Sequence, residues 1–124
     1  DLFLDTGPYN AHSTAIDALW AGVPLLTLKG NSFASRAAAS ALQAAGMSEL
    51  ILEDAQTYEA TALALARDPA RLQAIRTKLT AQRSTAPLFD TQRFTRHLEA
   101  AFAGMWERQQ RGEAAASFAV APLA

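Results

Sequence analysis

The stretch PYNAHSTAIDALWAGVPLL, residues 8–26, sets His12, Ser13 and Thr14 side by side, with Asp17 one helical turn further on. The 124-residue chain has two histidines, so an imidazole next to two hydroxyls invites a chemical reading. Where a loop hands over to a helix, the first turn carries N–H groups with no intrahelical partner and about half a positive charge. Such a terminus attracts phosphate before any side chain acts. Two hydroxyls there add donors, and an imidazole can donate or carry charge. Asp17 follows Ser13 by four residues and Thr14 by three, which puts it on the same helical face. Four residues rise ~6 Å, comparable with the separation between a nucleotide's phosphates and its ribose hydroxyls, and a carboxylate is the usual acceptor for those hydroxyls. Together the four read as a diphosphate grip with a ribose latch. Taken singly, each has a plainer reading: Ser13 or Thr14 as an N-cap, His12 as a loop histidine satisfied by backbone or water, Asp17 as an exposed carboxylate early in a helix. Spacing alone leaves both open.

The elements that must position these residues follow from the pattern around them. DLFLD, at the start, is an apolar run bounded by aspartates and reads as a strand buried on both faces. TGPYN is rich in turn formers and carries the chain into a loop. From about Ser13 to Ala21, Ile16, Leu19, Trp20 and Val23 recur at helical spacing, Gly22 is placed to end the helix, and Pro24 forbids its continuation. PLLTL, 24–28, is a second strand, so the order is strand, helix, strand, the unit of a parallel crossover. Ligands of open α/β sheets bind beyond the carboxyl ends of such strands, where His12, Ser13 and Thr14 fall.

ASRAAASALQAAG, 34–46, is an alanine-rich helix ended by Gly46, its small side chains suited to lying on a sheet. ELIL, 49–52, is a short third strand. Asp54 caps a helix to about Arg67, and Asp68-Pro69 opens another with Leu72, Ile75 and Leu79 on one face. STAPLFD is a loop, and Asp90 caps a long last helix in which Phe94, Leu98, Ala101, Phe102 and Met105 recur along one face. Trp20, Trp106 and the phenylalanines are expected in the core. The fold class is therefore α/β, a short parallel sheet followed by several helices. Residues 1–112 form the folded portion and 113–124 an Ala-rich tail that frays or docks loosely. Parallel sheets are normally wider than three strands, so the chain is expected to be the C-terminal part of a larger α/β unit. Taken alone, its sheet edge and apolar faces should drive formation of a homo-oligomer.

Composition excludes several function classes. Half the residues are apolar, enough for a core, and the absence of cysteine rules out disulfides, thiolate metal sites and thiol nucleophiles. A formal charge of −1 recommends the chain neither to nucleic acid nor to an anionic membrane surface. Seven basic and two acidic side chains between Arg67 and Arg96 read as a solvated helical face, because stacking aromatics are not interleaved with them. No run reaches the ~20 apolar residues of a membrane span, and a cytoplasmic setting fits. His97 reads as a packing histidine and Arg36 as a surface or sheet-edge cation. No metal motif, dinucleotide fingerprint, phosphate-loop lysine or nucleophile elbow occurs.

Five blocks, NAHSTAIDALWAGVPLLTL, ASRAAASAL, SELIL, YEATALALARD and RSTAPLFDTQRFTRHLEAAFAGMW, occur in that order. As a series they resemble the C-terminal end of the O-linked N-acetylglucosamine transferase family, which includes the SPINDLY-like enzymes, from residue 1 to about Gly112. The resemblance implies the C-terminal part of a Rossmann-like lobe of a GT-B glycosyltransferase, with an upstream GT-B lobe and tetratricopeptide (TPR) repeats ahead of it. It implies transfer of N-acetylglucosamine from UDP to Ser or Thr hydroxyls of an acceptor protein, inverting and without a metal or other cofactor, UDP-N-acetylglucosamine being the donor substrate. The family's His-Thr-Thr triplet maps to His12, Ser13 and Thr14, and its ribose-binding aspartate to Asp17. Ser13 keeps the hydroxyl and loses a methyl. The family's other donor contacts and the residues assigned to proton transfer lie upstream, and Lys29 does not replace them. No catalytic residue is expected in this chain, which alone should be inactive. The runner-up is a non-catalytic α/β protein-interaction domain that keeps the fold and binds through its basic helices or exposed edge.

Overall fold

The structure, a computed structural model, describes residues 1–122. The chain forms two compact units, Asp1–Phe89 and a second that begins at Asp90. In the first, β1 (Phe3–Leu4), α1 (Ser13–Trp20), β2 (Leu25–Leu28), α2 (Ala37–Ala44), β3 (Ile51–Leu52), α3 (Ala55–Arg67) and α4 (Pro69–Gln82) follow in order. The sheet is parallel, ordered β1-β2-β3, with Phe3 opposite Leu25 and Thr27 opposite Ile51. Successive crossovers of one hand put α1 and α2 on the same face, where they touch each other and β2. Leu25, Leu26 and Thr27 are all fully buried. Neighbouring strand residues point to opposite faces, so both faces of β2 are covered, and α3 also packs on β2 and β3.

The core joins Ala15 and Leu19 of α1, Leu25 and Leu26 of β2, Ala38, Ala41 and Leu42 of α2, Leu65 of α3 and Leu79 of α4. Each fully buried leucine contributes about 1.5–3 kcal/mol, and the alanines let α2 approach the sheet closely. Both α1 and α2 end as expected. Gly22 (φ +79°) and Gly46 (φ +72°) take left-handed conformations, and the N–H groups of Val23 and Met47 reach back to the Ala18 and Leu42 carbonyls at 2.9 Å. This pairing satisfies carbonyls that the helix end leaves open. At Gly46 a Cβ would lie 2.8 Å from Gln82 Nε2, the movable end of a side chain, so the left-handed backbone rather than space calls for glycine there.

The cap assignments hold. The carboxylates of Asp54, Asp68 and Asp90 accept the N–H groups of Thr57, Arg71 and Arg93 at 2.8–2.9 Å. The Thr57 hydroxyl and then its N–H hold the Asp54 carboxyl below its ordinary value of 3.8. A carboxyl lowered on folding stabilises the fold above its unfolded pKa and ceases to do so as pH falls through the folded one. Asp54→Asn, which keeps a capping oxygen without the charge, should therefore melt below the parent at pH 6, and the gap should close below pH ~4. Thermal melting at both pH values checks this.

Several expectations need correction, among them the core placement of Phe33, which is 86% exposed. The β1 run is not buried on both faces: β1 is the outer strand of this sheet and Leu4 is 52% exposed. The strand expected over 49–52 is β3 alone, because Ser48–Leu50 form a 3-10 turn closed by Leu50 N–H on the Met47 carbonyl. The helix expected from 34 begins at Ala37. Ser35 instead exchanges hydrogen bonds with Ser32, a local turn that competes with the helix. Trp20 is largely exposed rather than core, lying under the Arg83 guanidinium at 5.1 Å and against Phe89. Part of the basic segment thereby has structural work, since Arg83 also donates to the Trp20 carbonyl and Lys78 pairs with Glu49.

The second unit is α5 (Thr91–Gln110) and a tail without regular structure. The periodic face of α5 exists as anticipated, yet Phe94, Leu98, Phe102 and Met105 are 42–65% exposed, and Trp106 is exposed with them. The tail returns to α5: Arg108 pairs with Glu113 and donates to the Ala114 carbonyl at 3.0 Å, and Phe118 covers Gly104 so closely that a Cβ there would lie 3.1 Å from its ring. Leu123 and Ala124 of the anticipated tail lie outside the described residues. His97 is half-buried, its Nδ1 2.8 Å from the Arg93 carbonyl.

Candidate functional site

The carboxyl ends of the strands release three loops at one edge of the sheet, and the first leads to α1. Its anchor is Asp5, directly after β1 and 7% exposed. One carboxylate oxygen accepts the N–H groups of Thr6 and Ala11 at 2.9 and 2.7 Å, and the other accepts the Thr27 hydroxyl of β2 at 2.6 Å. The Asp5 carbonyl accepts the Tyr58 hydroxyl at 2.8 Å, and burial together with the Asp5 charge raises the Tyr58 pKa. Asp5 thus closes the loop into a bow whose far end delivers His12 to the start of α1.

His12 is the residue before α1, and its carbonyl accepts the Ala15 N–H at 3.1 Å. The Ser13 and Thr14 N–H groups precede that first bond and have no acceptor within the helix. With His12, Ser13 and Thr14 exposed or half-buried, all three line one cleft of about 440 Å³, whose floor includes Phe3, Asp5 and Asn10. Tyr9 forms its side, with its ring parallel to the imidazole. Asp17 is exposed on the second turn of α1 and is not part of the cleft wall. The structure therefore brings His12, Ser13 and Thr14 into one cavity and leaves Asp17 one turn along the same helix. The site can offer backbone N–H groups, two hydroxyls and an imidazole to an anion.

A larger cavity of about 600 Å³ lies between α2 and β3, bordered by Arg36, Ser40, Gln43 and Lys29. The start of α2 also borders it, through Arg36 and Ala37, and Lys29 is paired with Glu53 at 2.6 Å. Arg36 is exposed at the start of α2. Among the described residues no three His, Cys, Asp or Glu side chains stand together as a metal site, and no helix is long and apolar enough to cross a membrane.

Sequence reading missed Asp5, Tyr9 and Asn10. The signal for Asp5 was present, a carboxylate at the carboxyl end of an apolar run just before a turn, where loop amides need an acceptor. Tyr9 and Asn10 had no comparable mark.

Comparisons with known proteins point the same way as the resemblance of the five sequence blocks. The chain is 40% identical over 121 residues to the Arabidopsis thaliana protein named "Probable UDP-N-acetylglucosamine--peptide N-acetylglucosaminyltransferase SEC", covering 97% of this chain and 12% of that protein. It is 37% identical to the UDP-N-acetylglucosamine--peptide N-acetylglucosaminyltransferase of Caenorhabditis elegans, covering 90% of this chain and 10% of that one. The chain thus spans about a tenth of the length of these relatives. Among solved structures, a mutant of the Thermobaculum terrenum O-GlcNAc transferase superposes with a TM-score of 0.79 at 39% identity, over 85% of this chain and 20% of that one. The expected α/β class and GT-B relationship agree with that superposition. Glycosyl transferase family 41 matches over residues 1–98, and with the parallel sheet and ordered sequence blocks in agreement, the chain belongs to that family.

Proposed function

We propose that these residues form the donor-binding portion of a longer glycosyltransferase that moves N-acetylglucosamine from UDP to Ser or Thr hydroxyls of an acceptor protein. The observation that carries the reading is the convergence of His12, Ser13 and Thr14 on one cleft at the N-terminus of α1, at the carboxyl edge of a parallel sheet. As UDP departs, negative charge grows on its terminal phosphate. Donors already fixed in place then stabilise the transition state more than the ground state. The Ser13 and Thr14 N–H groups and hydroxyls fill that role, with His12 beside them, and Asp17 accepts the ribose hydroxyls. Proton transfer from the acceptor belongs to residues outside this chain. The exposed apolar stripe of α5 supports packing against the rest of the longer protein, including an upstream lobe that completes the cleft and the repeats that precede it. A cytoplasmic setting accords with the lack of cysteine.

Calorimetry on the full-length protein tests the ribose latch. Asp17→Ala should weaken UDP at least about tenfold, the loss of a hydrogen bond to a charged group, while inorganic pyrophosphate binding stays as it was. UDP affinity untouched by Asp17→Ala would remove Asp17 from the site.

A further inference from the structure

His12 borders the cleft without the hydrogen bond that usually orients a histidine at a binding site. Its side chain makes no cap bond to α1, and Nε2 is buried with no hydrogen-bond partner among the described residues. Aromatic rings touch it instead. The Tyr9 ring lies parallel to the imidazole, centroids 4.9 Å apart at 7°, and Phe33 meets it edge-on at 6.1 Å and 74°. Burial does not account for Tyr9, which is 67% exposed.

The backbone holds this arrangement in place. The Thr6 hydroxyl donates to the Tyr9 carbonyl at 3.2 Å, and the Asn10 amide donates to the Thr6 carbonyl at 3.1 Å. The Asn10 N–H donates to the Ala34 carbonyl at 2.9 Å, which ties the Tyr9 loop to the loop bearing Phe33. A histidine oriented by a hydrogen bond commits a ring nitrogen to the protein, whereas one oriented by stacking commits neither.

We propose that Tyr9 is a positioning residue for His12: its ring sets the plane of the imidazole and leaves Nδ1, the ring nitrogen that is not buried, available to the diphosphate. The proposal rests on the reading of this cleft as a UDP site. A parallel ring pair within the 4.5–7 Å range of favourable stacking restrains the imidazole without a polar contact. The Tyr9 hydroxyl has no part in that restraint.

The experiment is UDP calorimetry on the full-length protein carrying Tyr9→Ala, Tyr9→Leu or Tyr9→Phe, with Tyr9→Ala repeated in a His12→Ala background. Tyr9→Ala and Tyr9→Leu should each weaken UDP about five- to tenfold, and Tyr9→Phe should stay within about twofold, given the strength of aromatic pairs. With His12 already removed, Tyr9→Ala should change affinity little, a coupling that general loosening of the loop would not produce. A Tyr9→Ala loss undiminished in the His12→Ala background means that Tyr9 meets the ligand itself, and overturns the positioning role. So does normal UDP affinity in Tyr9→Ala when His12→Ala is weakened, an outcome that leaves the donor-site reading standing. UDP affinity indifferent to His12→Ala overturns both.

Discussion

Asp5→Ala should remove roughly 3–5 kcal/mol of folding stability, the scale of leaving three donors without their buried acceptor. The substitution leaves three donors, the Thr6 and Ala11 N–H groups and the Thr27 hydroxyl, facing a space that held their common acceptor. An unsatisfied buried donor costs about 1–3 kcal/mol, so even partial rescue by water leaves a large deficit. Against a domain total of about 5–15 kcal/mol, the variant should be close to unfolded at physiological temperature. Asp5→Asn should lose much less, because one oxygen remains for the two N–H groups and its amide can turn toward Thr27. Thermal and urea denaturation of the three proteins measures the difference. Melting of Asp5→Ala alongside the parent would mean that the loop stands without its anchor. The same substitution should also damage ligand binding, since Asp5 holds the loop that ends at His12.

At the cleft the largest kinetic effect is expected from His12→Ala, about a hundredfold loss in transfer rate, typical of deleting one preorganised donor to developing charge. Ser13→Ala with Thr14→Ala should cost less, about tenfold, because the two backbone N–H groups survive side-chain truncation. The split follows from which atoms are removed. If the donors act mainly on the departing phosphate, kcat falls more than KM rises, whereas equal grip on substrate and transition state would move KM alone. Steady-state kinetics of the full-length protein with an acceptor protein gives both numbers. Wild-type kinetics in both variants would place the diphosphate elsewhere, the Arg36 and Lys29 cavity being the next candidate.

Much of the architecture was legible in local pattern. Gly22 and Gly46 marked two helix ends because only a residue without a Cβ takes those left-handed positions cheaply, and Asp54, Asp68 and Asp90 marked three helix starts because their carboxylates match free N–H groups. The triplet at 12–14 stood out because its residue types suit a helix N-terminus after a strand, a relation confined to a few neighbouring residues. Asp17 falls on the same face by helical periodicity alone.

Partners distant in sequence were invisible to such reading. Asp5 meets Thr27 across 22 positions, and Tyr58 meets Asp5 across 53; no local pattern announces either. The aromatic residues show the limit in the other direction. Apolar spacing identified the faces that Trp20 and the α5 side chains share, but it could not say whether any surface covers them. Local chemistry and periodicity determined where helices begin and end and which residues share a face, because those depend on bonds and side chains within a turn or two. Tertiary structure alone decided which carboxylate anchors the site loop, which ring steadies the imidazole and which apolar faces stay open. Those outcomes depend on which distant segments the folded chain brings within hydrogen-bond or van der Waals reach.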